Sequence, residues 1–127
     1  MRLENRPFLI VDDEPEICWV FEHILKKNGF TCQKALTAGE AITLADQYTF
    51  CMAFFDAKLP DLDGIELARQ IRRTHPHLPV VIVSAYFYRD DITIEEAIKS
   101  GLVAAFISKP FVHDEIMRVI DLHAYIR

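Results

Sequence analysis

Cysteine is scarce in this chain: three residues in 127, an odd number without paired spacing. That excludes a disulfide scaffold and suits a reducing compartment. Long apolar runs are absent too. The longest, such as 102–107, are strand-sized, far short of the roughly 18 residues that span a bilayer. The start, Met1-Arg2-Leu3-Glu4-Asn5-Arg6-Pro7, lacks the apolar stretch of a secretory signal. There is no basic block, and the net charge of −5 leaves no electrostatic footprint for direct nucleic acid binding. No linker, repeat or low-complexity tract breaks the chain. What is present, 51% hydrophobic and 26% charged residues, is too apolar for intrinsic disorder and enough for one core. The expectation is one acidic cytoplasmic domain, residues 1–127, with no membrane segment and no effector domain.

Short apolar runs alternate with segments of helical period. Phe8–Val11, Cys51–Phe55, Val80–Val83 and Ala104–Ile107 are continuous, as in strands covered on both faces. Thr31–Ala35 is more polar and is expected at the sheet edge. Between them, Ile17, Val20, Phe21, Ile24 and Leu25 keep the spacing of one helix face, with Pro15 near its start and Gly29 just past its end. Thr37-Ala38-Gly39-Glu40 has capping-box spacing ahead of Ala41, Ile42 and Ala45. Ile65, Ala68 and Ile71 predict a third helix ending before His75-Pro76. Ile94, Ala97 and Ile98 predict a fourth, and Ile116, Val119, Ile120 and His123 a fifth. Five βα units with crossovers of this length imply a five-stranded parallel sheet between two helical layers, an α/β three-layer sandwich.

Ligands of open α/β sheets bind at the carboxyl ends of the strands. There the residues are unusual: Asp12-Asp13 after the first run, Asp56 after the third, Ser84 after the fourth, Ser108-Lys109 after the fifth. Any one of these has an ordinary explanation as a cap, a strand end or a solvated side chain. Capping alone does not explain three carboxylates, a hydroxyl and an ammonium on one edge.

The pattern resembles the receiver domain of two-component response regulators, of the chemotaxis-type single-domain kind. The resemblance covers essentially the whole chain and rests on Val11-Asp12-Asp13-Glu14-Pro15, on Asp56 through Gly64, on Val83-Ser84-Ala85 and on Phe106-Ile107-Ser108-Lys109-Pro110-Phe111. It implies a flavodoxin-like sheet of order 2-1-3-4-5. Asp56 would be the phosphoacceptor, with Ser84 and Lys109 facing the phosphoryl oxygens. Mg²⁺ would be held by Asp13 and Asp56 directly, by Asp12 through water and by the backbone carbonyl of Lys58. The donor would be a phosphohistidine on a sensor histidine kinase or phosphotransfer protein. The Lys109-Pro110 bond would be cis, aiming the lysine into the cleft. Ser84 and Phe106 would move on phosphorylation, Phe106 having core packing as its alternative role. A downstream protein would be bound through the fourth helix, fifth strand and fifth helix, a face also open to homodimerisation.

The resemblance is not uniform. Ala57 is smaller than the usual family residue. Lys58 and Tyr86, two residues after Asp56 and Ser84, occupy positions that in the family flank the path of hydrolytic water; the resemblance thus predicts a long-lived phosphoryl group, with plain solvent-facing side chains as the alternative. The Tyr86-Phe87-Tyr88 run is either a lid or partner contact, or core under the fourth helix. Asp61-Leu62-Asp63-Gly64 looks like part of a calcium loop, but Leu59 and Gln70 stand where acidic ligands are required. His75 and His77 are expected in a surface turn, the cysteines in the core, and Trp19 beside the first helix's apolar stripe. Two other classes compete with the phosphoacceptor. An Mg²⁺-dependent aspartyl-nucleophile hydrolase normally wants a second carboxylate two residues after the nucleophile, where Lys58 stands. A non-phosphorylated receiver-like interaction module would not require the full set of acidic and basic residues.

Overall fold

The computed structural model describes residues 6–85 and 92–124. Five strands and five helices alternate: β1 (Phe8–Val11), α1 (Pro15–Lys27), β2 (Cys32–Ala35), α2 (Ala38–Gln47), β3 (Met52–Asp56), α3 (Gly64–Thr74), β4 (Val80–Ser84), α4 (Ile92–Lys99), β5 (Ala105–Ser108) and α5 (His113–His123). The strands are parallel and lie in the order β2-β1-β3-β4-β5, the expected flavodoxin-like arrangement. Strand pairing extends β3 to Asp56 and β4 to Ser84, one polar residue past each apolar run, because a ladder is made by backbone groups irrespective of side chain.

Alternation along the strands divides the core in two. Leu9, Val11, Ala53, Phe55, Val80 and Ile82 pack on one face with residues of α2, α3 and α4. Phe8, Ile10, Met52, Phe54, Val81 and Val83 pack on the other with α1 and α5. Central strands buried on both faces need apolar residues at every position, which is why these runs do not alternate in polarity. β2 sits at the edge as expected and is only partly covered. Among the described residues no helix is long and apolar enough to cross a membrane.

Local chemistry fixes the helix starts that border the sheet's carboxyl edge. Pro15 opens α1, where its missing N–H costs no bond. At α2, Thr37 Oγ1 accepts the Glu40 N–H at 3.1 Å, half of the expected capping box. The Glu40 carboxylate instead accepts the Leu36 N–H at 3.0 Å, one residue earlier than a reciprocal box requires. Asp63 starts α3, its Oδ1 accepting the Ile65 N–H at 2.9 Å. Trp19 is exposed and stacks on His23 with ring centroids 5.3 Å apart. His75 and His77 lie in the turn after α3.

Cys18 and Cys51 are buried and Cys32 half-buried. Burial pushes the Cys18 thiol up to about 11 and that of Cys51 up to about 12, so neither presents a thiolate near neutrality. At pH 8, iodoacetamide is expected to leave both unmodified in the native protein and to modify them in urea. Peptide mass spectrometry showing fast native labelling of Cys18 or Cys51 contradicts this.

Candidate functional site

β1, β3 and β5 deliver their acidic and basic residues to the same edge because all strands run in one direction. The Asp12 N–H donates to the Ala35 carbonyl at 3.1 Å, so the first aspartate is anchored to β2 as it leaves β1. Asp56 pairs with Val83 as the last residue of β3, and Ser84, buried, follows on β4. The Lys109 N–H donates to the Ser84 carbonyl at 2.7 Å, which holds the lysine backbone beside β4. The Lys109-Pro110 peptide is cis.

From there the Lys109 ammonium reaches three carboxylates. It lies 2.8 Å from Asp12 Oδ2, 3.3 Å from Asp56 Oδ1 and 3.3 Å from Glu14 Oε2. The side chains of Asp12, Lys109 and Asp56 keep only 3%, 9% and 12% of their exposure, so these charges interact in a poorly screened setting. Asp12 Oδ1 also accepts the Glu14 N–H at 2.9 Å. Burial pushes the carboxyls of Asp12 and Asp56 above the usual range, the charge of Asp12 adds to the effect at Asp56, and Lys109 opposes it at both. Burial disfavours the Lys109 ammonium, but its bond and proximity to Asp12 and the charge of Asp56 outweigh that and raise it.

Asp12, Asp13 and Asp56 each present an oxygen within 4.8 Å of the others'. A hard, all-oxygen donor set this close, buried on one side and exposed at Asp13, fits a small divalent cation such as Mg²⁺, which keeps several of its waters. Lys58 is exposed in the loop after β3, bridged to Asp63. Phe106 is half-buried against the core face shared with α3 and α4. Tyr86, with Phe87 and Tyr88, lies outside the described residues.

Two features of the site have only weak signals in the sequence. Glu14 adjoins the aspartate pair and precedes a helix, which suggests a cap. Its side chain makes no cap bond and turns to Lys109 instead. Gly64 opens α3 with its N–H donating to the Ala57 carbonyl at 2.9 Å. A Cβ there would collide with the Asp56 carbonyl oxygen and stand 3.1 Å from Ala57 Cα, so glycine lets α3 start against the loop that follows β3.

An open parallel sheet of this order, with an acidic cluster and a lysine at its carboxyl edge, places the protein in the flavodoxin-like, CheY-like class of α/β domains. A model of the response regulator receiver domain matches residues 8–121, and the chain belongs to that family. It is similar to the "Response regulator protein PilR" of Pseudomonas aeruginosa, 35% identical over 108 residues, covering 85% of this chain and 24% of that protein. It is also similar to the "DNA-binding transcriptional regulator NtrC" of Klebsiella pneumoniae, 32% identical over 114 residues, covering 88% of this chain and 23% of the relative. The chain thus spans about a quarter of the length of these curated relatives. Among solved structures, the receiver domain of NtrX from Brucella abortus matches with a TM-score of 0.82 at 32% identity, over 92% of this chain and 97% of that one. A CheY-like receiver domain protein from Methanospirillum hungatei matches with a TM-score of 0.84 at 28% identity, over 94% and 93%.

Two outcomes are expected from this geometry. Gly64→Ala should destabilise the fold by about 2–3 kcal/mol, the scale of forced overpacking, measured by urea denaturation; unchanged stability would show that the loop yields to the extra methyl. The raised Asp56 carboxyl means that its ionisation opposes folding: the cost is absent below the unfolded value and appears as pH rises through the folded one. Without divalent cation at pH 7, Asp56→Asn should therefore raise Tm by a few degrees, the shift about 1 kcal/mol produces in a domain of this size. A lowered Tm contradicts a net cost of ionising Asp56 at this buried edge.

Proposed function

We propose that this receiver domain accepts a phosphoryl group on Asp56 from a phosphohistidine of a sensor histidine kinase or phosphotransfer protein and thereby switches a protein-binding face. The observation that carries the reading is the meeting of Lys109 with Asp12 and Asp56 beside an all-oxygen cluster. An Asp56 carboxylate oxygen attacks phosphorus, the phosphorus–nitrogen bond to the donor imidazole breaks, and an acyl phosphate forms. Asp13 and Asp56 would hold Mg²⁺ directly, with Asp12 through water and the Lys58 carbonyl as further ligands. When bound, the cation neutralises charge on the transferring phosphoryl oxygens. Lys109 contributes a compact positive charge there, released from its carboxylate partners, and the Ser84 hydroxyl donates to another phosphoryl oxygen. Glu14 gives Lys109 a further anionic partner before the phosphoryl group arrives.

Ser84 and Phe106 are the proposed moving parts, with α4, β5 and α5 the surface presented to a downstream protein in the cytoplasm. Moving such a switch from 1:99 to 99:1 takes about 5.5 kcal/mol of differential interaction. Charge-assisted bonds from Lys109 and Ser84 to the new phosphoryl oxygens are a fitting source for part of it. Lys58, exposed after β3, and Tyr86, two residues after Ser84 in the chain, are proposed to lengthen the phosphoryl lifetime by hindering hydrolytic water. Position 58 is a lysine, where an aspartyl-nucleophile hydrolase needs a carboxylate, so the switch reading is preferred.

Incubation with acetyl phosphate and Mg²⁺ should add the mass of one phosphoryl group, and Asp56→Asn should abolish the gain. Lys109→Ala should slow it by about a hundredfold, as for loss of one preorganised donor. No mass gain in the wild-type chain, or an undiminished gain in Asp56→Asn, overturns the proposal.

A further inference from the structure

The stretch that imitates a calcium loop has another use in this fold. Asp61 stands in the loop between β3 and α3, and its carboxylate bridges to a different helix. Oδ1 accepts the Ala38 N–H at 2.9 Å and Oδ2 accepts the Gly39 N–H at 3.0 Å. Ala38 and Gly39 are the first two residues of α2, whose N–H groups have no partner within the helix. The helix's own cap does not serve them: Thr37 Oγ1 takes the Glu40 N–H, and Glu40 takes the N–H of Leu36. An aspartate 22 and 23 positions away in the chain supplies the missing acceptors, with its charge at the positive end of the helix dipole. The two backbone bonds hold the Asp61 carboxyl below the usual carboxylate range.

This bridge falls on the loop that carries the proposed acceptor machinery. At its root, the Ala57 N–H donates to the Val83 carbonyl at 2.9 Å and the Gly64 N–H to the Ala57 carbonyl at 2.9 Å. Leu59 and Leu62 are half-buried against the core, and Lys58 lies between Asp56 and the part of the loop that Asp61 ties down. We infer that Asp61 is a positioning residue. By fastening the β3–α3 loop to the start of α2, it holds the Lys58 backbone and the Asp56 carboxylate in the geometry that divalent-cation binding and phosphoryl transfer require. The inference rests on the phosphoacceptor reading for its functional consequence, but the strap itself is a property of the fold.

Asp61→Ala, Asp61→Asn and Thr37→Ala in the full chain separate this from simple loss of a helix cap, since Thr37→Ala weakens the start of α2 without touching the loop. Amide hydrogen exchange at Ala57, Leu59 and Gly64 is followed without cation, and Mg²⁺ affinity by calorimetry. Asp61→Ala is expected to speed exchange at these loop amides and to weaken Mg²⁺ binding about tenfold, the lower end of what outer partners of metal ligands contribute. Asp61→Asn, retaining one acceptor oxygen without the charge, should fall between. Thr37→Ala should speed exchange at Glu40 and leave loop and cation affinity at wild-type values. Wild-type loop exchange in Asp61→Ala, or equal effects of Thr37→Ala on the loop, overturns the inference. If the wild-type chain neither binds Mg²⁺ nor gains a phosphoryl group, the phosphoacceptor reading falls, and the exchange comparison still decides the strap.

Discussion

A single ammonium shared among carboxylates is the interaction on which the rest of this site depends. Lys109 stands within 3.3 Å of Asp12, Glu14 and Asp56, and Asp13 completes an acidic cluster around it. One cation does not offset four carboxylates at an edge where water is partly excluded. Burial raises the carboxyls of Asp12 and Asp56, the charge of Asp12 adds to the effect at Asp56, and Lys109 only partly offsets it. A site left under-neutralised in this way favours the arrival of further positive charge, which is the electrostatic basis for associating it with a hard divalent cation.

The scaffold makes this imbalance tolerable. Two apolar layers grip the sheet from both faces, so β1, β3 and β4 act as rigid supports whose ends are held in register by backbone bonds. The charged groups of the site sit at or just beyond the ends of β1, β3 and β5, where a loop position opens them to ligand and the strand beneath limits their motion. Gly64 and Asp61 act from the other side: one admits α3 close to the loop after β3, the other fastens that loop to α2.

Much of this was legible in the residues. The continuous runs at Phe8–Val11 and Val80–Val83 do mark strands covered on both faces, whereas the equally continuous Ala104–Ile107, expected to be covered in the same way, falls on β5 at the sheet edge, where only Ile107 of the strand is buried. The polar Thr31–Ala35 segment marks an edge for the converse reason, and pairing there begins at Cys32. Asp12, Asp13, Asp56, Ser84 and Lys109 stand out because each follows an apolar run at the end where parallel sheets bind ligands. The partners of Glu14 and Asp61 were not legible, because each residue has a plausible local role, helix cap and loop acid, and the groups they bond are distant in sequence. Glu40 likewise satisfies capping-box spacing yet bonds the residue before the cap.

The amino-acid order by itself determined the kind and sequence of elements, which faces are apolar and which edge carries charge, since these follow from periodicity among near neighbours and from the one-way run of parallel strands. Only the tertiary structure decided that Lys109 serves Asp12, Asp56 and Glu14 together, and that Asp61 caps a helix it does not belong to. Coulomb attraction and hydrogen bonding depend on separation through space, and strand order sets that separation among residues that chain spacing alone keeps far apart.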